Sequence, residues 1–291
     1  MKEKEIKSKK RKTSRVAEIW HQLKKNKVAV ASLIVLLLII LVAIFAPLLA
    51  PYSYEEQFRD IPFSKPTAEH IFGTDAVGRD ILSRLIYGSR QSLQIGLLAV
   101  AIAAVIGIFI GAIAGYFGGW VDNIVMRFLD IYQSIPYLLL CVTLAAVLGP
   151  SLKNAIIAIG IGMVPPNARL MRASILSVRE MEYVEAAKSI NATNARIIMK
   201  HILPNSISPM IVSITMGMGN AILAGSAMSF IGLGAQPPIP EWGAMISDAR
   251  NYMRANPMLA VYPGLCVIIT VLAFNLLGDG LRDALDPRLK N

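Results

Sequence analysis

The chain has 291 residues, of which 55% are hydrophobic and 16% are charged, and its formal net charge is +10. A soluble domain of this size carries about 25% charged residues, so the composition excludes an ordinary soluble protein and indicates an integral membrane protein. The apolar residues come in long runs rather than in alternating strands of about ten residues, which predicts an all-α, polytopic helical bundle.

Much of the positive charge lies in residues 1–27, which hold eleven of the 29 lysines and arginines. A basic segment directly before an apolar run is typical of a cytoplasmic arm beside a membrane, and this location argues against a nucleic-acid partner. Residues 16–23 contain Trp20 and predict a helix at the lipid interface. We expect the arm to lie near anionic lipid headgroups.

Six apolar segments predict six transmembrane helices with both termini in the cytoplasm. Their ranges are 28–49, 92–116, 131–148, 154–168, 208–233 and 259–277. The first is long enough to cross a hydrocarbon core of ~30 Å. In the second, Gly107, Gly111 and Gly115 recur every four residues, which predicts a close helix–helix contact rather than a ligand site. Pro165 and Pro166 end the short fourth segment, so we expect it to lie inside the bundle.

The segments between these spans alternate sides. Residues 50–89 and 234–257 are predicted to be external, and residues 169–204 to be cytoplasmic, because Arg169 and other basic side chains follow the positive-inside rule. A short inside turn is expected at residues 118–122. Segment 50–89 is interpreted as mainly structural. For segment 234–257, an external gate, a seat for a delivery protein and an ordinary re-entrant loop remain equally open.

The segment at residues 179–209 is polar, basic and helix-prone, and it lies between apolar runs. Asn191 tolerates the left-handed conformation that ends helices, and Thr193 or Asn194 can cap a new one. A helix–turn–helix is therefore predicted. The apolar stripe of its second helix is expected to consist of Ile197, Ile198, His201 and Ile202.

Motifs for covalent chemistry are missing from the sequence. It contains no Gly-x-x-x-x-Gly-Lys-Ser/Thr phosphate loop, and the predicted topology keeps His70 apart from His21 and His201. Cys141 and Cys266 lie in apolar runs without a CxxC pair. The predicted spans carry few ionisable residues, whereas proton- or sodium-coupled transporters usually need them in the membrane. We therefore expect no catalytic or metal site here, and energy supplied by a partner.

The polar segment resembles the EAA loop of importer-type ABC transporter permeases. Glu185-Ala186-Ala187 and Ile202-Leu203-Pro204 match that pattern. Asn191 replaces the usual glycine, and Ile202 lies one residue closer to Leu203 than in the strict pattern.

Three further blocks are similar to the dipeptide, oligopeptide and nickel permeases, specifically to the second of their two permease subunits. The first is Gly-Thr-Asp-x-x-Gly-Arg-Asp at residues 73–80, and the others lie at residues 230–243 and 275–288. The resemblance covers most of the chain and implies the type I ABC importer permease fold, with residues 28–291 as the permease domain.

The resemblance also implies a role and partners. The chain would couple to an ATPase through Glu185, Ala186, Ala187, Ser189, Asn191, Ala192, Ile202, Leu203 and Pro204. A homologous second permease, two ABC ATPase subunits that carry ATP and Mg²⁺, and an extracytoplasmic substrate-binding protein would complete the transporter. No cofactor is expected on this chain, and a prokaryotic cell membrane is the expected location.

The substrate stays open among dipeptides, oligopeptides, glutathione and nickel chelates. Two other classes compete with the importer: a secondary transporter that works alone, and a membrane scaffold or sensor that transports nothing.

Overall fold

The computed structural model of the protein describes residues 15–285. The basic residues 1–14 of the predicted arm, and the last residues of the motif at 275–288, lie outside the described residues. Within 15–285 the chain is helical, and its single β pairing is an isolated bridge between Thr74 and Asp80. This confirms the all-α prediction for the described part.

Fourteen α-helices are described. They are α1 (Arg15–Leu23), α2 (Lys27–Ile44), α3 (Ala46–Leu49), α4 (Ile81–Phe117), α5 (Gly119–Gln133), α6 (Tyr137–Leu148), α7 (Leu152–Gly162), α8 (Val164–Val178), α9 (Glu182–Ser189), α10 (Asn194–Ile197), α11 (Leu203–Ser206), α12 (Ser208–Phe230), α13 (Trp242–Ala249) and α14 (Met258–Leu285). A π-helical turn, Ile198–Ile202, joins α10 to α11, and a 3₁₀ turn, Arg250–Tyr252, follows α13.

Four helices of the described chain are long and apolar enough to cross a membrane: α2, α4, α12 and α14. The pair α5 and α6 makes a fifth candidate if its 83° bend is counted within one span. The predicted segments 28–49, 92–116, 208–233 and 259–277 fall on the four long helices. The predicted total of six crossings stays a prediction.

Helix α4 is the centre of the bundle and packs against α2, α7, α8 and α12. Its 37 residues give a length of about 55 Å, well beyond the hydrocarbon core. It begins at Ile81, where the Asp80 carboxylate accepts a hydrogen bond from the Ser83 amide at 2.8 Å. Residues 81–89 of the predicted external segment are thus the first turns of α4, and the external position of segment 50–89 stays a prediction.

The three spaced glycines of α4 form its contact with α8. A Cβ at Gly107 would come within 2.6 Å of Asn167 Cβ, and one at Gly111 within 2.4 Å of the Ala168 carbonyl oxygen. This confirms the predicted close contact and identifies α8 as the partner helix.

The third and fourth predicted spans are broken rather than continuous. Residues 134–136 separate α5 from α6, and the inside turn predicted at 118–122 narrows to Gly118, because helix resumes at Gly119. Pro165 and Pro166 lie at the beginning of a helix and not at the end of one. They occupy the first turn of α8, where a missing N–H costs no helical hydrogen bond.

Residues 50–80 and 234–257 form one structure, called the cap below. The indole nitrogen of Trp242 donates to the Leu85 carbonyl oxygen at 3.1 Å, which fixes α13 on α4. Glu241 is completely buried, accepts a hydrogen bond from Ser92 Oγ at 3.0 Å and caps α13 through the Ala244 amide at 2.9 Å. Segment 234–257 is thus a packed helical unit rather than a loose loop.

The cap also contains a buried cluster of charges. Arg79 and Arg84 both contact the Asp75 carboxylate, and Arg84 reaches Asp248 at 3.2 Å. Nearby, His70 Nδ1 lies 3.0 Å from the Asp80 carboxylate. The cluster joins the two cap segments to the first turn of α4, so the cap and the bundle are one packed unit.

Candidate functional site

The segment between α8 and α12, residues 179–207, is called the connector below. It contains α9, a tight turn, α10, the π-helical turn and α11. The helix–turn–helix prediction is confirmed, although the second helix consists of three short pieces.

Asn191 makes the tight turn with a φ of 60°, as its tolerance of the left-handed region predicted. The Asn191 amide donates to the Lys188 carbonyl at 2.9 Å, and the Ala192 amide donates to the Ala187 carbonyl at 3.2 Å. These two bonds form a Schellman motif that closes α9. Thr193 then caps α10, because its hydroxyl oxygen accepts from the Arg196 amide at 3.4 Å. The departure from glycine at Asn191 therefore keeps the turn.

The π-helical turn changes which side chains share a face. A π-turn brings residues five apart onto one side, and here Ile197 and Ile202 are both fully buried. Ile198 and His201 are only half-buried, so the predicted four-residue stripe is narrower than expected. Ile197 and Ile202 pack with Val184 on α9 and with residues of α8, which gives the connector its own small core.

The nine predicted coupling residues fall into two groups. Ala187 and Ile202 are buried within this chain, and Ala192 and Leu203 are half-buried. The remaining five are exposed: Glu185, Ala186, Ser189, Asn191 and Pro204. Both Ala186 and Ala187 were expected to offer a close approach, but Ala187 is only 5% exposed because it faces the connector core. Ala186 alone of that pair is free for an outside contact.

Exposed apolar side chains on the connector were missed by the sequence reasoning. Ile190 is 80% exposed, and Met199 is 65% exposed. Tyr183, on the first turn of α9, is also exposed. Ile190 could have been noticed in the sequence, because it is a large apolar residue directly before the turn in an otherwise polar stretch. These exposed side chains add apolar area to the surface of the connector.

The connector is fastened to the bundle by specific polar contacts. Arg179 donates to the Gly115 carbonyl oxygen at 3.0 Å, and the Tyr116 hydroxyl lies 2.7 Å from Asn194 Oδ1. On α8, Arg172 forms a bidentate ion pair with Asp122 of α5. The sequence reasoning had used these arginines only to choose a membrane side.

A second ion pair, Arg169 with Asp130, also joins α8 to α5. Together the two pairs tie α8, which leads into the connector, to the helix before the 83° bend.

Metal ligation finds no support in the described part of the chain, where no three His, Cys, Asp or Glu side chains come together as a metal site. Cys141 and Cys266 are both free. The connector instead offers small, apolar and charged side chains on a stiff support, which suits a mechanical contact with another protein.

Comparison with known proteins identifies two matching family models. Residues 107–291 match the model described as binding-protein-dependent transport system inner membrane component. Residues 14–66 match the N-terminal TM domain of oligopeptide transport permease C.

Curated relatives match over almost the whole chain. A dipeptide transport system permease protein of Alkalihalophilus pseudofirmus is 50% identical over 274 residues, which are 94% of this chain and 90% of the relative. A glutathione transport system permease protein of Escherichia coli O6:K15:H31 is 45% identical over 274 residues, which again are 94% of this chain and 90% of the relative. A di/tripeptide transport system permease protein of Pseudomonas aeruginosa is 44% identical and covers 96% of this chain and 94% of its own.

Solved structures show the same fold. A chain of the inward-facing MetNI methionine ABC transporter aligns with a TM-score of 0.58 and 20% identity, covering 71% of this chain and 98% of its own. An amino acid ABC transporter crystallised with histidines aligns with a TM-score of 0.53 and 17% identity, over 68% of this chain and 92% of its own.

Proposed function

Because the chain belongs to the family of binding-protein-dependent transport system inner membrane components, we propose that it is one permease subunit of an ATP-driven importer of short peptides. The observation that carries this proposal is the 50% identity with a dipeptide permease over 94% of the chain. The fold shared with chains of two ABC transporters supports the same architecture.

The proposed membrane arrangement has six crossings and both termini in the cytoplasm of a prokaryote. Helices α2, α4, α12 and α14 are four of the crossings, and the broken pairs α5–α6 and α7–α8 are the other two. The connector lies inside, where its basic residues obey the positive-inside rule. The cap lies outside. Residues 1–27 lie in the cytoplasm, with α1 against the lipid surface and Trp20 at headgroup level.

The proposed mechanism is mechanical, and this chain holds no cofactor. Two partner ATPase subunits bind ATP and Mg²⁺, and their closure moves the connector through Ala186 and its exposed neighbours. The connector moves α8 directly and α5 through the ion pairs Arg172–Asp122 and Arg169–Asp130. A homologous second permease completes the path, and an extracytoplasmic binding protein delivers the peptide to the cap. Rigid-body movement of the helices then opens the peptide path alternately to the outside and to the cytoplasm.

The test is Ala186→Arg in the intact transporter, reconstituted in proteoliposomes with its binding protein. We expect ATP-dependent uptake of labelled alanyl-alanine to fall by about tenfold or more, a typical coupling between two sites, while ATP hydrolysis continues. Ala186→Ser is the matched control, because it changes the same exposed position without adding bulk or charge. Normal uptake by Ala186→Arg would refute ATPase coupling at this surface. Uptake without nucleotide would favour a secondary transporter instead.

Glutathione import is the second candidate, favoured by the 45% identity with a glutathione permease. Glutathione is itself a tripeptide, so the same architecture suits it. Competition separates the two candidates: excess unlabelled glutathione should leave alanyl-alanine uptake intact if dipeptides are the substrate. Strong inhibition would favour glutathione.

A further inference from the structure

A cavity of about 560 Å³ lies beside the broken helix pair α5–α6. Its wall is formed by the α5–α6 break, by the junction of α7 and α8 and by the middle of α12. This volume is within the range of small-molecule sites in proteins, about 300–1,000 Å³. None of its lining residues in the described chain belongs to the connector.

Four polar side chains stand out in an otherwise mostly apolar wall: Tyr132, Gln133, Tyr137 and Asn220. The Tyr132 hydroxyl is buried and has no hydrogen-bond partner within residues 15–285. Gln133 and Asn220 are exposed, and neither side-chain amide bonds to another group of the described chain. Asn220 lies near the middle of the candidate span α12.

Unpaired polar groups are costly at membrane depth. Moving an amide or hydroxyl from water into an apolar medium without a partner costs roughly 2–7 kcal/mol. Polar residues in membrane helices therefore usually face a bundle interior or a water-filled cavity and mark a solute pathway. Gln133 and Asn220 fit this description, because they come from different helices and line the same cavity.

The chemistry of these groups points to a class of ligand. A carboxamide both donates and accepts hydrogen bonds, which is what a peptide bond requires, and a phenol also does both. None of the residues that line this cavity in the described chain carries a charge. A metal chelate or a free anion would need charged or ligating groups, and an acyl chain would need no hydrogen bonds at all.

We propose that this cavity is a transit site for the backbone of a short peptide, with Gln133 and Asn220 as its hydrogen-bonding residues and the Tyr132 hydroxyl as a third. The proposal rests on the proposed function and deepens it. Because the wall is neutral, the site accepts peptides with acidic and basic side chains alike. Residues Gln133 and Asn220 are thus positions where a charge would create selectivity.

The experiment places a charge in the cavity without changing its shape. The intact transporter carries Asn220→Asp or, separately, Gln133→Glu, and uptake of alanyl-lysine and alanyl-glutamate is measured in proteoliposomes. The binding protein is unaltered, so a change in the uptake ratio arises in the path. We expect each variant to raise the ratio of alanyl-lysine to alanyl-glutamate by about tenfold or more, because the added carboxylate attracts the lysine side chain and repels the glutamate side chain.

Thr215→Asp is the matched control. Thr215 is on α12 but five residues earlier and outside the cavity wall, and its hydroxyl bonds to the Ile211 carbonyl at 2.9 Å. We expect this variant to leave the ratio unchanged. An equal shift in Thr215→Asp, or no shift in either cavity variant, would overturn the proposal.

One further measurement keeps the outcomes distinct. Wild-type uptake of alanyl-alanine is measured in the same vesicles: if it is absent, the proposed function fails and the transit site fails with it. If it is present and the ratios do not move, only the transit site fails. Should one charged variant not assemble, the other decides, since Gln133 and Asn220 lie on separate helices.

Discussion

The cap and the connector use charged residues in opposite ways. In the cap, Asp75, Arg84 and Glu241 are buried and joined to one another or to neutral hydrogen-bonding groups. In the connector, Glu185 and Lys188 are exposed, and the buried positions are apolar. A buried charge cluster fixes two segments in one geometry, whereas a surface of exposed charges around a small apolar core stays free to meet a partner. The difference indicates that the cap is held in one geometry, whereas the connector presents an exposed surface.

The largest expected effect comes from breaking the cap cluster with Asp75→Asn. This change leaves Arg84, which is 3% exposed, and Arg79 without the Asp75 carboxylate, so that their remaining shared partner is the more exposed Asp248. Removing one partner of a buried ion pair costs about 3–5 kcal/mol of unfolding free energy. Thermal unfolding of the purified transporter should show a clear drop. Asp60→Asn, an exposed cap residue, is the control and should not shift the midpoint.

A smaller loss is expected at the close contact between α4 and α8. In Gly111→Ala the new Cβ would meet the Ala168 carbonyl oxygen at 2.4 Å, so one helix must shift. Overpacking of this kind costs about 1–3 kcal/mol of stability. Gly264→Ala is the control, because nothing lies within 4 Å of its new Cβ. Equal stability of the two variants would contradict the tight contact.

The turn of the connector should respond less strongly. Asn191→Ala places an ordinary side chain at a φ of 60°, which costs about 1–2 kcal/mol. Asn191→Gly removes that steric cost and restores the glycine of the EAA pattern, so its stability should at least equal that of the wild type. Limited proteolysis of the connector in both variants measures the difference. Faster cleavage of Asn191→Gly than of Asn191→Ala would refute this account of the turn.

The smallest effect on stability is expected at the exposed connector surface. Ile190→Ser should change the free energy of unfolding by no more than about 0.5 kcal/mol, as is usual for surface substitutions. The same change should weaken ATPase association, because Ile190 is 80% exposed and offers an apolar contact. Co-purification of the ATPase subunits measures this. Unchanged co-purification would show that Ile190 does not contribute to ATPase docking.

The sequence by itself was enough to predict the class of the protein, the long apolar helices and the turn at Asn191. Membrane class follows from composition, because lipid requires continuous apolar helices. The contact of Gly107 and Gly111 was also predictable, since small residues four apart leave a groove on one face of a helix. These are local properties, and short-range patterns in the chain record them.

Only the tertiary structure decided which residues meet. The burial of Ala187 beside the exposed Ala186 depends on the direction in which α9 packs, and the pairing of Arg172 with Asp122 joins residues 50 positions apart. Helix α4 begins at Ile81 because Asp80 caps it there, and Pro165 lies in the first turn of α8. Hydropathy records neither helix start. The meeting of Gln133 with Asn220 at one cavity depends on the bend between α5 and α6, and long-range geometry of this kind arises only when the helices assemble.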